Sequence, residues 1–153
     1  MEIEEMNENN DTELKESANC DNISEVGGVL NVSKIACSNP YFRKEMITGE
    51  YMQMTVMSIP SGGEVGLEIH NSLDQLLKVE RGVGQVYMGK TKKEVKFVGC
   101  ANADCVIFIP ANTWHNVLNE QNCPLKMFSI YAPPHHPVGT IHKTKFDSDL
   151  ADY

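Results

Sequence analysis

Residues 62–82 read GGEVGLEIHNSLDQLLKVERG, and residues 104–119 read DCVIFIPANTWHNVLN. Both stretches have the apolar pattern of β-strands bounded by turn-forming residues. Each also carries polar side chains inside that pattern, among them Glu68, His70 and His115. A charged group on a buried strand face is costly unless it has a partner. The two stretches therefore predict a site at which polar side chains from separate strands meet.

The spacing of these side chains indicates how they come together. Glu68 and His70 are two residues apart, so a strand places them on the same face. Residues 71–74 are rich in turn formers, and the strand that follows returns Gln75 toward this pair. His115 belongs to a third strand, which the loop at residues 110–113 introduces. It joins the others only if the strands close into a barrel.

The rest of the chain is typical of an all-β protein. After an entry strand at residues 27–32, short strands broken by turn signals are predicted at residues 52–59, 64–70, 75–80, 84–88, 94–98, 105–109, 114–118 and 125–131. Regular short strands without a long helical period predict a barrel or a sandwich. The strand at residues 52–59 is apolar on both faces. One face is expected to meet the core and the other a second copy of the chain, although sandwich packing of two sheets explains the same pattern.

The two stretches resemble the paired motifs of the cupin superfamily. The usual first motif is Gly-x5-His-x-His-x3-4-Glu-x6-Gly, and the second is Gly-x5-Pro-x-Gly-x2-His-x3-Asn. This chain has the spacing of both motifs throughout. Four positions depart in residue type, namely Glu68, Gln75, Asp104 and Asn112. Asn and Asp tolerate left-handed turns, so the replacement of the two glycines of the second motif is mild.

The resemblance implies a single cupin double-stranded β-helix, which is a jelly-roll barrel, with a metal site. Carried over by position, the metal ligands are Glu68, His70, Gln75 and His115. Asp74 takes the place of Gln75 if the register slips by one residue. Two imidazoles, one carboxylate and one amide oxygen suit one divalent transition metal, either Fe, Mn, Ni, Co or Zn.

Residues 30–145 also resemble small single-domain bacterial cupins of the mannose-6-phosphate isomerase-like type. The segments that carry this resemblance include residues 57–60, 74–75, 110–117 and 131–134. The resemblance implies a homodimer.

Charge divides the 153 residues unevenly. The formal net charge is -8, and residues 1–25 contain nine acidic residues and one basic residue. Residues 1–26 are therefore predicted to be an acidic disordered arm, residues 27–132 the barrel, and residues 133–153 a tail with Pro and His that packs on the barrel. The neutral remainder gives no basic surface for nucleic acid. The chain has no apolar run of transmembrane length and no signal-peptide pattern, and its five cysteines include no Cys-x-x-Cys pair. We therefore expect a cytoplasmic protein that does not bind membranes.

The site predicts a metal-dependent enzyme with a small-molecule ligand, acting on a sugar-like or hydroxy-carbonyl metabolite by isomerase or lyase chemistry. His136 and Tyr131 are the candidate catalytic residues, because a tail histidine that covers the pocket has a pKa near neutrality. Two alternatives remain open. One is an Fe(II)-dependent dioxygenase, and the other is a non-catalytic protein that binds a metabolite or a metal.

Overall fold

Antiparallel β-sheet makes up most of the computed structural model, which describes residues 21–24 and 26–151. The strands of this part of the chain are β1 (Asp21–Ser24), β2 (Gly27–Leu30), β3 (Arg43–Thr48), β4 (Gln53–Ile59), β5 (Asp74–Arg81), β6 (Gly84–Gly89), β7 (Lys96–Ala101), β8 (Val106–Ile109), β9 (Trp114–Leu118), β10 (Leu125–Ala132) and β11 (Ile141–His142). The helices are α1 (Val32–Ser38) and α2 (Lys145–Leu150), with a 3₁₀ turn at Lys92–Glu94. The predicted all-β class is confirmed.

The predicted acidic arm falls almost entirely outside the described residues, and it stays a prediction together with the domain boundaries. Within the described part, β1 and β2 form a two-stranded hairpin of their own. No helix of this part is long and apolar enough to cross a membrane.

Residues 32–151 hold two further sheets with a common apolar core. The larger sheet has the order β11-β3-β4-β10-β5-β8, and the smaller one has the order β7-β6-β9. Side chains of both sheets enter one buried cluster, which includes Met57, Leu77, Val86 and Val117. This arrangement is the jelly roll that the sequence motifs predict.

Strand register divides the interior of the larger sheet into a polar end and an apolar end. Gln53 on β4 and Gln75 on β5 are both register partners of Tyr131 on β10. Two residues further along, Thr55 is the partner of Ser129. Alternate residues share a face, so the same face continues with the apolar pairs that β10 forms with β4, Met127 with Met57 and Leu125 with Ile59. All of these residues are buried.

The segment at residues 64–70, predicted as a strand, is extended but is not a regular strand. Only two isolated bridges connect it to β9, Glu64 to Leu118 and Glu68 to His115. Gly66 lies between these bridges with a φ of 106°, a left-handed value that interrupts a strand. Its N–H donates to Oδ1 of Asn116 at 2.9 Å instead of to a neighbouring strand.

The strand predicted to face a second copy is covered within the chain. Every residue of β4 is buried in the single chain, with β3 on one side and β10 on the other. Burial of β4 therefore requires no second copy, and the homodimer stays a prediction.

Hydrogen bonds fix the tail after β10 to β3 and β4. Oε1 of Gln53 accepts the N–H groups of His135 at 3.1 Å and His136 at 2.8 Å. Nε2 of Gln53 donates to the carbonyl of His136 at 2.7 Å. β11 then pairs with β3, and a capping box between Thr144 and Asp147 begins α2. Residues 133–151 thus extend from the polar end of the interior to the outer edge of the sheet.

Candidate metal centre

Glu68 and His115 are direct neighbours through their backbones. The N–H of Glu68 donates to the carbonyl of His115 at 3.0 Å, and the N–H of His115 donates to the carbonyl of Glu68 at 2.9 Å. In such an antiparallel pair both side chains point to the same face. Oε1 of Glu68 consequently lies 3.3 Å from Nε2 of His115.

His70 reaches the same point from the other end of its segment. The N–H of Asn112 donates to the carbonyl of His70 at 2.8 Å, in a loop where Asn112 has a φ of 62°. Nε2 of His70 lies 3.4 Å from Oε1 of Glu68. One ligand atom from each of Glu68, His70 and His115 falls within 4.8 Å of the other two, so this cluster could hold a metal ion.

The protonation of His115 follows from its other ring nitrogen. Nδ1 lies 2.8 Å from the carbonyl oxygen of Thr113. A carbonyl oxygen only accepts, so Nδ1 carries a proton and Nε2 of the neutral ring presents a lone pair. That lone pair faces a carboxylate oxygen of Glu68, which is also an acceptor. A proton or a metal cation between the two removes the repulsion, and metal-binding histidines commonly have this second hydrogen bond.

Glu68 is ionised in this environment. Burial would raise its pKa, but the imidazole nitrogens of His115 and His70, 3.3 and 3.4 Å from Oε1, hold the pKa well below its usual range. The carboxylate is about one third exposed, whereas the His70 side chain is 10% exposed and the His115 side chain is buried. The charged ligand therefore lies at the open side of the cluster.

Gln75 lies on the interior face of β5 and is 2% exposed. Its Nε2 donates to Oγ of Ser129 at 2.9 Å, which leaves Oε1 as the free acceptor of the amide. Oε1 is buried without a hydrogen-bond partner among the described residues, and Nε2 of His70 is in the same state. Buried polar atoms rarely lack a hydrogen-bond partner, and a cation coordinated by both of these atoms would account for them. The donor set fits a divalent metal.

Asp74, the alternative ligand, is not in the cluster. It is exposed, and its Oδ1 accepts the N–H of Ala111 at 2.9 Å. The side chain holds the loop that precedes β9, because the register of β5 directs Gln75 and not Asp74 inward. This alternative is wrong.

Ring contacts connect the two candidate catalytic residues, Tyr131 and His136, to His70. The Tyr131 ring is 6.0 Å from the His70 ring and 5.0 Å from the His136 ring, between centroids. His135 is closer to the cluster, with its ring 4.7 Å from that of His70. Burial is the main cause that lowers the pKa of His136 to about 2, with Arg43 the next. His136 is therefore a neutral imidazole at ordinary pH.

A cavity of about 320 Å³ opens beside the cluster. Its lining includes Glu68, His135, His136, Arg43 and Lys145. Arg43 escaped the sequence analysis because a buried arginine gives no apolar strand pattern. The sequence analysis also did not identify the polar interior residues, because a buried polar strand face shows the same pattern as a solvent-exposed one. These residues are Gln53, Thr55 and Ser129.

No protein-family model matches the chain. The chain is 47% identical over 124 residues to the uncharacterized protein YrkC of Bacillus subtilis, an alignment that covers 81% of this chain and 67% of YrkC. It is 36% identical over 114 residues to the uncharacterized protein L612 of Acanthamoeba polyphaga mimivirus, with 74% of this chain and 69% of L612 covered. The solved structure of BH2720 from Bacillus halodurans is 48% identical, with 80% of this chain and 93% of BH2720 covered and a TM-score of 0.79.

More distant structures share only the fold. The cupin domain of Schizosaccharomyces pombe Cnp3 is 14% identical, with 59% of this chain and 62% of that chain covered and a TM-score of 0.50. Bacillus subtilis oxalate decarboxylase, a protein with Mn(II) centres, is 17% identical, with 57% and 23% covered and a TM-score of 0.51. The fold is that of the cupins. The chain belongs to the family that includes YrkC and L612.

Proposed function

We propose that this protein is a metal-dependent enzyme of the mannose-6-phosphate isomerase-like type of cupin, acting on a small hydroxy-carbonyl metabolite. Its metal ligands are Glu68, His70, His115 and Gln75. The observation that carries the proposal is the convergence of three ligand atoms within 4.8 Å of one another. The unpartnered Oε1 of the buried Gln75 supports the fourth ligand.

The bound metal supplies Lewis-acid chemistry, which polarises a carbonyl and lowers the pKa of the adjacent C–H. The side chains determine the rest of the site. Glu68 is the single anionic ligand, so a divalent ion keeps a net positive charge that favours an anionic oxygen of the substrate. Nitrogen and oxygen donors suit Fe, Mn, Ni, Co and Zn alike.

Tyr131 and His136 are the proposed proton-transfer residues, and the ring contacts add His135 to this set. A neutral imidazole accepts a proton from a substrate C–H but has none to give at its basic nitrogen. Burial and Arg43 keep His136 neutral, but the same low pKa makes its ring a weak base. His135 lies nearest the cluster and is the group best placed to touch a molecule bound there.

A second candidate function is an Fe(II)-dependent dioxygenase. Two histidines and one carboxylate are the donor set of many non-haem iron oxygenases, and Glu68, His70 and His115 have this composition. Gln75 as a fourth ligand leaves fewer open positions, which favours the isomerase or lyase reaction. Oxygen consumption by the iron-loaded protein with candidate substrates separates the two reactions.

The metal is tested first, by elemental analysis of protein purified without an affinity tag or added metal. We expect about one equivalent of a divalent transition metal in the wild type and strong loss in Glu68→Gln. Asp74→Asn is the matched control, since Asp74 is nearby but lies outside the cluster. Equal metal content in Glu68→Gln and the wild type contradicts the proposed site.

The reaction is tested by proton exchange. The metal-loaded protein is incubated in deuterated water with a panel of aldoses, ketoses and sugar acids, and NMR follows exchange of the C–H next to the carbonyl. We expect exchange that His70→Ala abolishes without unfolding the protein. Metal binding without exchange or oxygen consumption supports a non-catalytic binding protein instead. The homodimer and the cytoplasmic location remain part of the proposal and are tested by sedimentation and cell fractionation.

A further inference from the structure

Arg43 is a buried cation that has no acidic partner among residues 21–24 and 26–151. It is the first residue of β3 and is 3% exposed. Its Nη1 contacts Nδ1 of His142 at 3.1 Å and donates to Oγ of Ser148, and both partners are uncharged groups. Its Nε is buried and has no hydrogen-bond partner in the described part of the chain. Among the ion pairs of the described residues, none includes Arg43.

A buried guanidinium in this state is costly. Transfer of a charge out of water is offset only when an opposite charge or a complete set of hydrogen bonds compensates it. The partner His142 brings no negative charge, and its pKa is lowered by burial and by Arg43, which keeps it neutral. Arg43 therefore has no counter-charge in the part of the chain that the structure describes.

The cavity of about 320 Å³ places Arg43 beside the candidate metal centre, because Glu68 lines the same space. The other carboxylates that line it are held by their own partners. Asp149 pairs with Lys145 at 2.8 Å, and Glu64 accepts from Nδ2 of Asn116 at 3.0 Å. None of them neutralises Arg43.

We propose that this cavity binds a small molecule through an oxyanion group, a carboxylate or a phosphate, which accepts hydrogen bonds from Arg43. A guanidinium matches the geometry of both groups. The volume lies at the lower end of ligand pockets, so the molecule is a small metabolite. The rest of the molecule extends toward Glu68. This last point rests on the proposed metal function, whereas the pairing with Arg43 does not.

Calorimetric titration of the full chain with three probes tests the proposal. The probes are glycolate, inorganic phosphate and the uncharged analogue glycolamide, each added to metal-free and to Co(II)-loaded protein. We expect glycolate, phosphate or both to bind the wild type, and Arg43→Met to weaken that binding roughly tenfold or more. Glycolamide is expected to bind more weakly and to be insensitive to Arg43→Met. Arg81→Met, at the exposed end of β5, is the matched control and leaves every affinity unchanged.

Glycolate and phosphate differ in their anionic group, so the tighter-binding probe shows whether the site prefers a carboxylate or a phosphate. Binding of neither probe to the wild type overturns the proposal, as does equal binding to wild type and Arg43→Met. Should Arg43→Met fail to fold, Arg43→Lys carries the test. It keeps the charge but loses the planar fork, and we expect a several-fold loss of affinity. An unchanged affinity in Arg43→Lys that folds like the wild type overturns the proposal.

Failure of the metal site is recognised separately. Co(II) binding, followed by its visible absorption before any probe is added, reports on the proposed metal ligands and not on Arg43. Without Co(II) binding, the proposed metal function fails, while oxyanion binding that depends on Arg43 still supports this proposal. With Co(II) binding but no dependence on Arg43, only the oxyanion site is wrong.

Discussion

Glu68 and His115 exchange two backbone hydrogen bonds, at 3.0 and 2.9 Å, although 46 residues of chain separate them. This pairing sets the distance between a carboxylate and an imidazole without help from any flexible loop. His70 then follows from strand geometry, being two residues beyond Glu68. Backbone pairing thus helps to position the ligand atoms, which lowers the entropic cost of metal binding.

Gln75 provides the first test of the ligand set. Gln75→Glu restores the residue usual at this position of the cupin motif and adds a negative charge to the site. We expect tighter metal binding, by roughly tenfold, and a less stable metal-free protein, because two carboxylates then share the interior. Competition with a coloured chelator measures the affinity. Gln121→Glu on the exposed surface is the control, and an unchanged affinity in both Gln75→Glu and Gln75→Leu would show that Gln75 is not a ligand.

Gln53 is expected to hold the histidine-containing tail. Gln53→Ala removes four hydrogen bonds, three of them to the tail, and takes away the Oε1 acceptor of the buried N–H of His136. We predict a loss of about 3 kcal/mol in the free energy of unfolding and faster amide hydrogen exchange over residues 135–142. Gln85→Ala is the control, since its hydrogen bond to Glu120 is exposed, with an expected loss below about 0.5 kcal/mol. Similar losses in both variants contradict this role.

Asn112 adopts a left-handed backbone conformation where the cupin motif usually has glycine. Asn112→Gly is expected to preserve stability, whereas Asn112→Ala loses about 1 kcal/mol because a Cβ disfavours a φ of 62°. Ala111→Gly, at the preceding residue with no positive φ, is expected to destabilise by about 0.5 kcal/mol instead. Urea denaturation compares the three variants. A more stable Asn112→Ala than Asn112→Gly would contradict the assigned conformation.

The lowered pKa of His136 predicts that the protein loses stability at acid pH. Its pKa is lowered to about 2 by burial, then by Arg43, His135 and His142, against the opposing charge of Glu68. The folded chain keeps this ring neutral, while the unfolded chain protonates it below about pH 6.5. Unfolding therefore takes up one proton between about pH 6 and pH 4, and stability falls by about 1.4 kcal/mol per pH unit from this group.

The measurement compares wild type with His136→Gln, both metal-free, by urea denaturation at several pH values. Other titrating groups contribute equally to both proteins, so the difference in slope isolates His136. We expect the variant to lose less stability on acidification. Parallel curves for the two proteins would place His136 in an environment where it titrates normally.

Local pattern was sufficient to predict β5 and β9, which carry Gln75 and His115, but not the irregular segment that carries Glu68 and His70. The predicted bounds of β9 agree with the structure, because a proline loop precedes Trp114 and turn-forming residues follow Leu118. The same-face relationship of Glu68 and His70 also depends only on neighbours in sequence. The proximity of Glu68 to His115 came instead from the resemblance to a known motif.

Other features depend on contacts that the sequence does not display. β3 escaped prediction because Arg43 and Glu45 look like surface residues, yet Arg43 is buried under the tail. The strand predicted at residues 64–70 failed at Gly66, whose N–H bonds to a side chain 50 residues away. The position of His135 beside His70 likewise follows from Gln53, a partner more than 80 residues distant.

The change from apolar to polar pairs midway along β4 and β10 separates two tasks within the same strands. Methionine and isoleucine at one end anchor the scaffold, and glutamine, threonine, serine and tyrosine at the other end are available for chemistry. Relatives can therefore diversify in what they recognise by exchanging the polar layer alone. Laboratory redesign of specificity can use the same division and leave the apolar end of these strands unchanged.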